Sequence, residues 1–97
     1  MIRHAVLFQW KPGVTDEQKR FVATELATLP TLVPAIRAFA LGPDVGINEG
    51  NADFVVTADF DDEAGYLAYR DDPDHRAIVT KHLGPLVANR TAIQFQF

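Results

Sequence analysis

Three stretches of the chain alternate with a period of two, and in each one face is far more apolar than the other. From Ile2 to Trp10, Ile2, His4, Val6, Phe8 and Trp10 fall on one side and Arg3, Ala5, Leu7 and Gln9 on the other. From Ala52 to Phe60, Phe54, Val56, Ala58 and Phe60 oppose Asp53, Val55, Thr57 and Asp59; near the end, Ile93, Phe95 and Phe97 oppose Ala92, Gln94 and Gln96. Successive side chains of a strand leave opposite faces, so this period predicts strands over 2–10, 51–60 and 90–97. Their one-sidedness predicts an antiparallel sheet with helices on one face only, because a sheet buried on both sides reads as continuous apolar runs.

The segments between them supply those helices. Thr15 and Gln18 stand at capping-box spacing, and Asp16 and Glu17 complement the positive helix end, which predicts a helix over 15–29. Val22, Leu26, Leu29 and Val33 recur on one side, and Phe21 widens the stripe. Pro30 and Pro34 mark a connector, a strand is predicted over 35–42, and Val45 to Gly50 reads as a turn-rich loop. Asp61 and Asp62 suit the cap of a helix over 62–70. Pro73 disfavours helical geometry at Asp72 yet suits the first position of a new helix, so Asp72 becomes a second cap, a helix is predicted over 73–87, and His75 falls in its first turn. The fold class is therefore α+β: one domain over 1–97, with a ferredoxin-like four-stranded antiparallel sheet and helices on one face.

The other face predicts a partner. Its residues are assigned as Ala5, Leu7, Phe39, Leu41, Val55, Thr57, Ala92, Gln94 and Gln96, too apolar for open water and too polar for a dry core. A second copy packed sheet to sheet would cover them. At 97 residues the chain buries only roughly 60–65% of its unfolded surface, so association would also help stability.

Composition removes several classes of function. With no cysteine there is no disulfide, thiolate nucleophile or cysteine-ligated metal. Net charge is −4 and the cations are scattered, which argues against nucleic acid. The apolar run Ala5 to Phe8 is far shorter than a membrane span or a signal-peptide core, so no membrane association and a cytoplasmic location are expected.

Three segments together carry a family likeness: Ile2-Arg3-His4-Ala5-Val6-Leu7-Phe8, the strand Asp53 to Phe60 running into an acidic cap, and Tyr69 followed six residues later by His75 in Tyr-Arg-Asp-Asp-Pro-Asp-His. The chain resembles the stress-responsive dimeric α/β-barrel (Dabb) family over essentially its whole length. That resemblance implies two ferredoxin-like sheets paired into a dimeric barrel. Most members of the family have no assigned reaction, but one plant branch, olivetolic acid cyclase, closes a linear polyketide by aldol condensation. Its motif residues correspond to His4, Tyr69 and His75 here, while Phe54 replaces a further histidine on strand three. The corresponding pocket walls would be Val6, Phe8, Val22, Leu26, Ile78 and Leu86, with Phe54 beside them.

Two lines of function follow. In the first, the protein is an acid/base enzyme acting on a small apolar or carbonyl-containing ligand, with His75 as base and Tyr69 as donor; imidazole titrates near 6.5 and a phenol can bond a developing enolate. The helix start disfavours a charged His75, whereas Asp71, Asp72 and Asp74 favour it. In the second, the same side chains are structural bonds in a non-catalytic ligand-binding or stress-response dimer; a cofactor-free monooxygenase is a further alternative. No cofactor is expected. His75 and His82 lie two helical turns apart with no third ligand, and Asp59 to Glu63 lacks the spacing of a calcium loop, so no metal is expected either.

Overall fold

The computed structural model describes all residues, 1–97. Strand β1 (Ile2–Trp10) leads to helix α1 (Asp16–Leu26), a one-turn helix α2 (Leu29–Leu32), and strands β2 (Ala38–Pro43) and β3 (Phe54–Phe60). Helices α3 (Glu63–Asp71) and α4 (Pro73–Ile78) follow, α4 continues as a π-helical turn (Val79–Leu83) and a 3-10 turn (Gly84–Leu86), and strand β4 (Val87–Gln96) closes the chain. The sheet order is β2-β3-β1-β4, antiparallel throughout, which is the predicted ferredoxin-like arrangement.

The caps act as their residue types dictate. Gln18 N donates to Thr15 Oγ1 at 3.1 Å while Thr15 N donates to Gln18 Oε1 at 2.8 Å, completing the capping box of α1. Gly65 N donates to Asp62 Oδ1 at 2.9 Å, and Asp74 N and His75 N donate to Asp72 Oδ1 at 2.9 and 3.1 Å. Asp61, read as a cap, instead accepts from Arg37.

Both long helices are shorter than the sequence predicts, and proline is the reason. Pro30 has no N–H to give the Leu26 carbonyl, so α1 stops at Leu26 and a new turn begins with Pro30 near its start. Pro85 likewise cannot continue the helix expected over 73–87, and residues 79–86 unwind through the π and 3-10 turns. Strands β2 and β3 begin three residues later than predicted, and β4 begins three residues earlier.

Val6, Phe8, Val56, Ala58 and Phe60 of the sheet and Val22, Leu26, Leu29, Val33, Tyr69, Ile78 and Leu83 of the helical layer form one buried cluster. Phe21 is left out of it, 52% exposed. Registry corrects the assignment of faces on the two edge strands. Phe39 and Leu41 stand opposite Ala58 and Val56, and Ala92, Gln94 and Gln96 stand opposite Val6, His4 and Ile2, so all five lie on the helix side. Thr91, Ile93 and Phe95 share the open face with Ala5, Leu7, Val55 and Thr57. The apolar side of β4 is thus the open one, where Ile93 is 57% exposed. On the same face Arg3 holds the buried Asp59 with two bonds, 2.7 and 2.9 Å, and lies 4.6 Å from the centre of the Phe97 ring. No helix is long and apolar enough to cross a membrane.

Candidate functional site

His4 projects from β1 toward the helices because it shares the even face with Val6 and Phe8. Tyr66 and Tyr69, one turn apart on α3, close over it, with ring centres 5.2 and 5.8 Å from the imidazole. The Asp72-Pro73 break then turns the chain so that the His75 ring lies against Tyr69, centre to centre 4.0 Å at 32°. Phe60 backs both tyrosines at 5.9 and 5.2 Å.

His4, Tyr69 and His75 line one cavity of about 130 Å³ between sheet and helices. Its apolar walls include Val6, Phe8, Leu26, Val56, Val79 and Leu83, and Tyr66, Arg70 and Arg90 complete it. Four residues expected as walls lie elsewhere. Val22 and Ile78 sit in the core without reaching the cavity, Leu86 lines a surface groove beside Phe21, and Phe54 packs on Trp10 at 5.6 Å. His82 is also outside, edge-on to Phe21. A larger concavity, about 450 Å³, lies beside Leu7, Val55 and the loop after β2, but Asp44 is its one titratable side chain. The smaller cavity is therefore the one that gathers the titratable candidates.

Sequence reasoning missed Tyr66, Arg70, Val56, Val79, Leu83 and Arg90. Tyr66 stands three residues before Tyr69, a spacing that shares a helix face, so a signal existed. Arg90 had none, since its place follows from pairing opposite Phe8.

The two histidines are held in opposite tautomers. Gln94 Nε2 donates to His4 Nδ1 at 2.9 Å, which leaves the His4 proton on Nε2. His75 Nδ1 donates to the Arg70 carbonyl at 3.3 Å, which leaves His75 Nε2 with a bare lone pair. Neither Nε2 atom nor the Tyr69 hydroxyl bonds within the protein, and no buried side-chain nitrogen or oxygen lacks a partner, so all three open onto accessible space. One acceptor and two donors thus keep accessible area on residues that line a mostly apolar cavity.

Burial sets the charge states. It pushes His4 down to about 4, helped by the Arg90 cation and by His75 when that ring is protonated, so His4 is neutral at pH 7. Burial also lowers His75; the Arg70 carbonyl and the Asp72 charge pull the other way without prevailing. The opposition between helix start and neighbouring aspartates is decided by desolvation. Tyr69 is pushed up to about 12 by burial first and by Tyr66 second, against Arg90, so it remains a phenol and a donor. No group of three or more His, Cys, Asp or Glu side chains is placed to hold a metal ion.

Comparison with known proteins places the chain. Residues 2–97 match the model of the stress responsive A/B barrel domain, and the chain belongs to this Dabb family. It is 45% identical to a dimeric ferredoxin-like protein of unknown function from Thermobifida fusca, covering 99% of this chain and 90% of that one with a TM-score of 0.91. A Dabb family protein from Mesorhizobium loti is 23% identical, with 99% and 95% covered and a TM-score of 0.84. The hydroxynitrile lyase of Passiflora edulis has the same fold at 15% identity, with 97% and 90% covered and a TM-score of 0.85. Among curated proteins none matches the chain.

Proposed function

We propose that the protein is a small-molecule acid/base enzyme that moves a proton at a carbon next to a carbonyl, working as a homodimer joined through its open sheet faces. The observation that carries this reading is the pairing of opposite tautomers on one cavity lining: His75 Nε2 is left without a proton, and His4 Nε2–H and the Tyr69 hydroxyl are left as unbonded donors. His75 Nε2 takes the α-proton, the electron pair moves onto the carbonyl oxygen as an enolate, and Tyr69 and His4 bond that oxygen. The protonated His75 trades its proton with solvent and then returns one to carbon, which regenerates both the carbonyl and the free base. A lowered His75 pKa keeps the base unprotonated at neutral pH, and the elevated Tyr69 pKa keeps the donor in place.

Size bounds the substrate. About 130 Å³ is close to what holds a benzene ring and lies below the usual range for drug-sized ligands. A small aryl or alkyl carbonyl compound fits, while a long polyketide does not without extending outside. That the same fold supports an enzyme in Passiflora edulis, a hydroxynitrile lyase, adds an analogy of fold.

The dimer rests on the apolar open face, where Leu7, Ile93 and Phe95 are 39%, 57% and 42% exposed in one chain, and on the dimeric description of the Thermobifida fusca relative. A non-catalytic ligand-binding dimer is the second reading, favoured by the small size of the cavity. Deuterium exchange at the α-carbons of phenylacetone, followed by NMR, separates the two. His75-dependent exchange above the buffer rate supports the enzyme; exchange equal to that of the His75→Ala variant favours the binding protein.

A further inference from the structure

Arg90 is a cation without an ion partner at the edge of the cavity. The chain is acidic overall, with 13 Asp and Glu against 9 Lys and Arg, and Arg3, Lys19, Arg37 and Arg70 are each held by a carboxylate. Of the two arginines that line the cavity, Arg70 is spent on Asp71 through bonds of 2.9 and 3.1 Å, whereas Arg90 makes no salt bridge and no side-chain hydrogen bond. Its position is fixed by the sheet, since it stands directly opposite Phe8 and so leaves β4 on the helix side.

Arg90 also stands at a junction. Beyond the inner cavity lies an outer groove of about 320 Å³ lined by Gly84, Val87, Ala88 and Asn89, and the two share Phe8, Val79, Leu83 and Arg90. A ligand whose carbonyl reaches His75 and Tyr69 and whose other end extends into the outer groove passes the guanidinium. Its positive charge already acts inward, weakening proton binding at His4 and favouring charge at Tyr69. Guanidinium matches a carboxylate bidentately, and an arginine with no internal partner has its donors free for one.

We propose that Arg90 is a specificity-determining residue that binds the carboxylate of an anionic carbonyl compound, an oxo acid whose apolar part fills the inner cavity and whose acid group sits at the entrance to the outer groove. This rests on the proton-transfer reading for the position of the carbonyl, but binding of the acid group is separable from turnover.

The test uses 4-oxo-4-phenylbutanoate and its methyl ester, which differ in charge and hardly in shape. Titration of each into the wild-type protein, read from the ring signals of His4 and His75, should give an acid that binds about five- to tenfold more tightly than the ester, with the difference shrinking as salt rises. Arg90→Met should remove the preference by weakening the acid and leaving the ester unchanged, and Arg90→Lys should keep part of it. Lys81→Gln, which deletes the same charge away from the cavity, should retain the full ratio. Equal binding of acid and ester, no binding of either, or a ratio that survives Arg90→Met would overturn the inference. So would an Arg90→Met variant that loses α-exchange on acid and ester alike with the binding ratio intact, because the cation would then be serving the enolate. Conversely, an intact acid preference with no His75-dependent exchange on either probe would sustain this inference and remove the catalytic reading.

Discussion

Gln94 stands directly across the sheet from His4 and donates its side-chain amide to His4 Nδ1 at 2.9 Å. This one bond satisfies a buried ring, fixes its proton on Nε2 and so turns the histidine into a donor toward the cavity. Gln94→Leu should therefore cost about 1 kcal/mol of stability through the orphaned nitrogen. It should also release the tautomer, which 15N chemical shifts of the His4 ring would report as a mixture. An unchanged Nε2–H ring in the variant would mean that something else orients His4.

Acid should weaken the fold through the same histidine. His4 is held near 4 in the folded chain against an ordinary value near 6.5, and His75 is lowered in the same direction. Above pH 6.5 folded and unfolded chains are both neutral at these sites, and stability does not depend on them. As pH falls from 6.5 toward 4 the unfolded chain takes up a proton that the folded chain refuses, so stability drops by up to about 1.4 kcal/mol per unit for His4, reaching no more than about 3 kcal/mol. Asp59 has a lowered pKa because Arg3 bonds it, and its contribution is lost only below the ordinary carboxylate range. Urea unfolding between pH 4 and 7 should show the slope in the wild type and a shallower one in His4→Phe. Equal slopes in the two proteins would contradict this assignment.

How much of this was legible depended on whether a neighbour in sequence or a neighbour in space set the outcome. The caps at Thr15, Asp62 and Asp72 are local, and so is the break at Pro73; each follows from a side chain reaching an amide two or three residues away. The faces of β1 and β3 were also readable, because both are central strands whose apolar side meets the helices. On the edge strands the rule inverts. Ile93 and Phe95 are apolar yet lie on the open face, and Gln94 is polar yet lies on the helix side because His4 needs it. Alternation separates two faces but does not say which one turns inward; registry with β1 does. For the site, His4, Tyr69 and His75 could be named from the chain, whereas Arg90 enters only through its pairing opposite Phe8.

The corrected face still favours association. It gives up Phe39 and Leu41 to the helix side but gains Ile93 and Phe95 beside Leu7 and Val55, so an apolar patch remains open. Sheet-to-sheet pairing should bury roughly 1,000 Å² or more. Ile93→Asp places a carboxylate in the middle of that face without touching the core, so the variant should sediment as a monomer at micromolar concentration while the wild type sediments as a dimer. A dimer that survives Ile93→Asp would place the interface elsewhere.

The catalytic roles make unequal demands on the three ring groups, which allows them to be told apart. In the proposed reaction His75 is the base, so His75→Ala should lower α-exchange on phenylacetone by about 10²- to 10⁴-fold, the usual worth of a positioned base. Tyr69→Phe removes one of two donors to the enolate oxygen and keeps the ring that stacks on His75 at 4.0 Å, so its loss should be smaller, about ten- to a hundredfold. The pH profile adds a check that a structural role would not reproduce. Because burial lowers His75, exchange should persist below pH 6.5 and fall only as that ring is finally protonated. Tyr69 stays protonated to about 12 and should impose no alkaline limb below pH 10. A rate that declines with a midpoint at or above 6.5, or a Tyr69→Phe variant more impaired than His75→Ala, would reverse the assignment of base and donor.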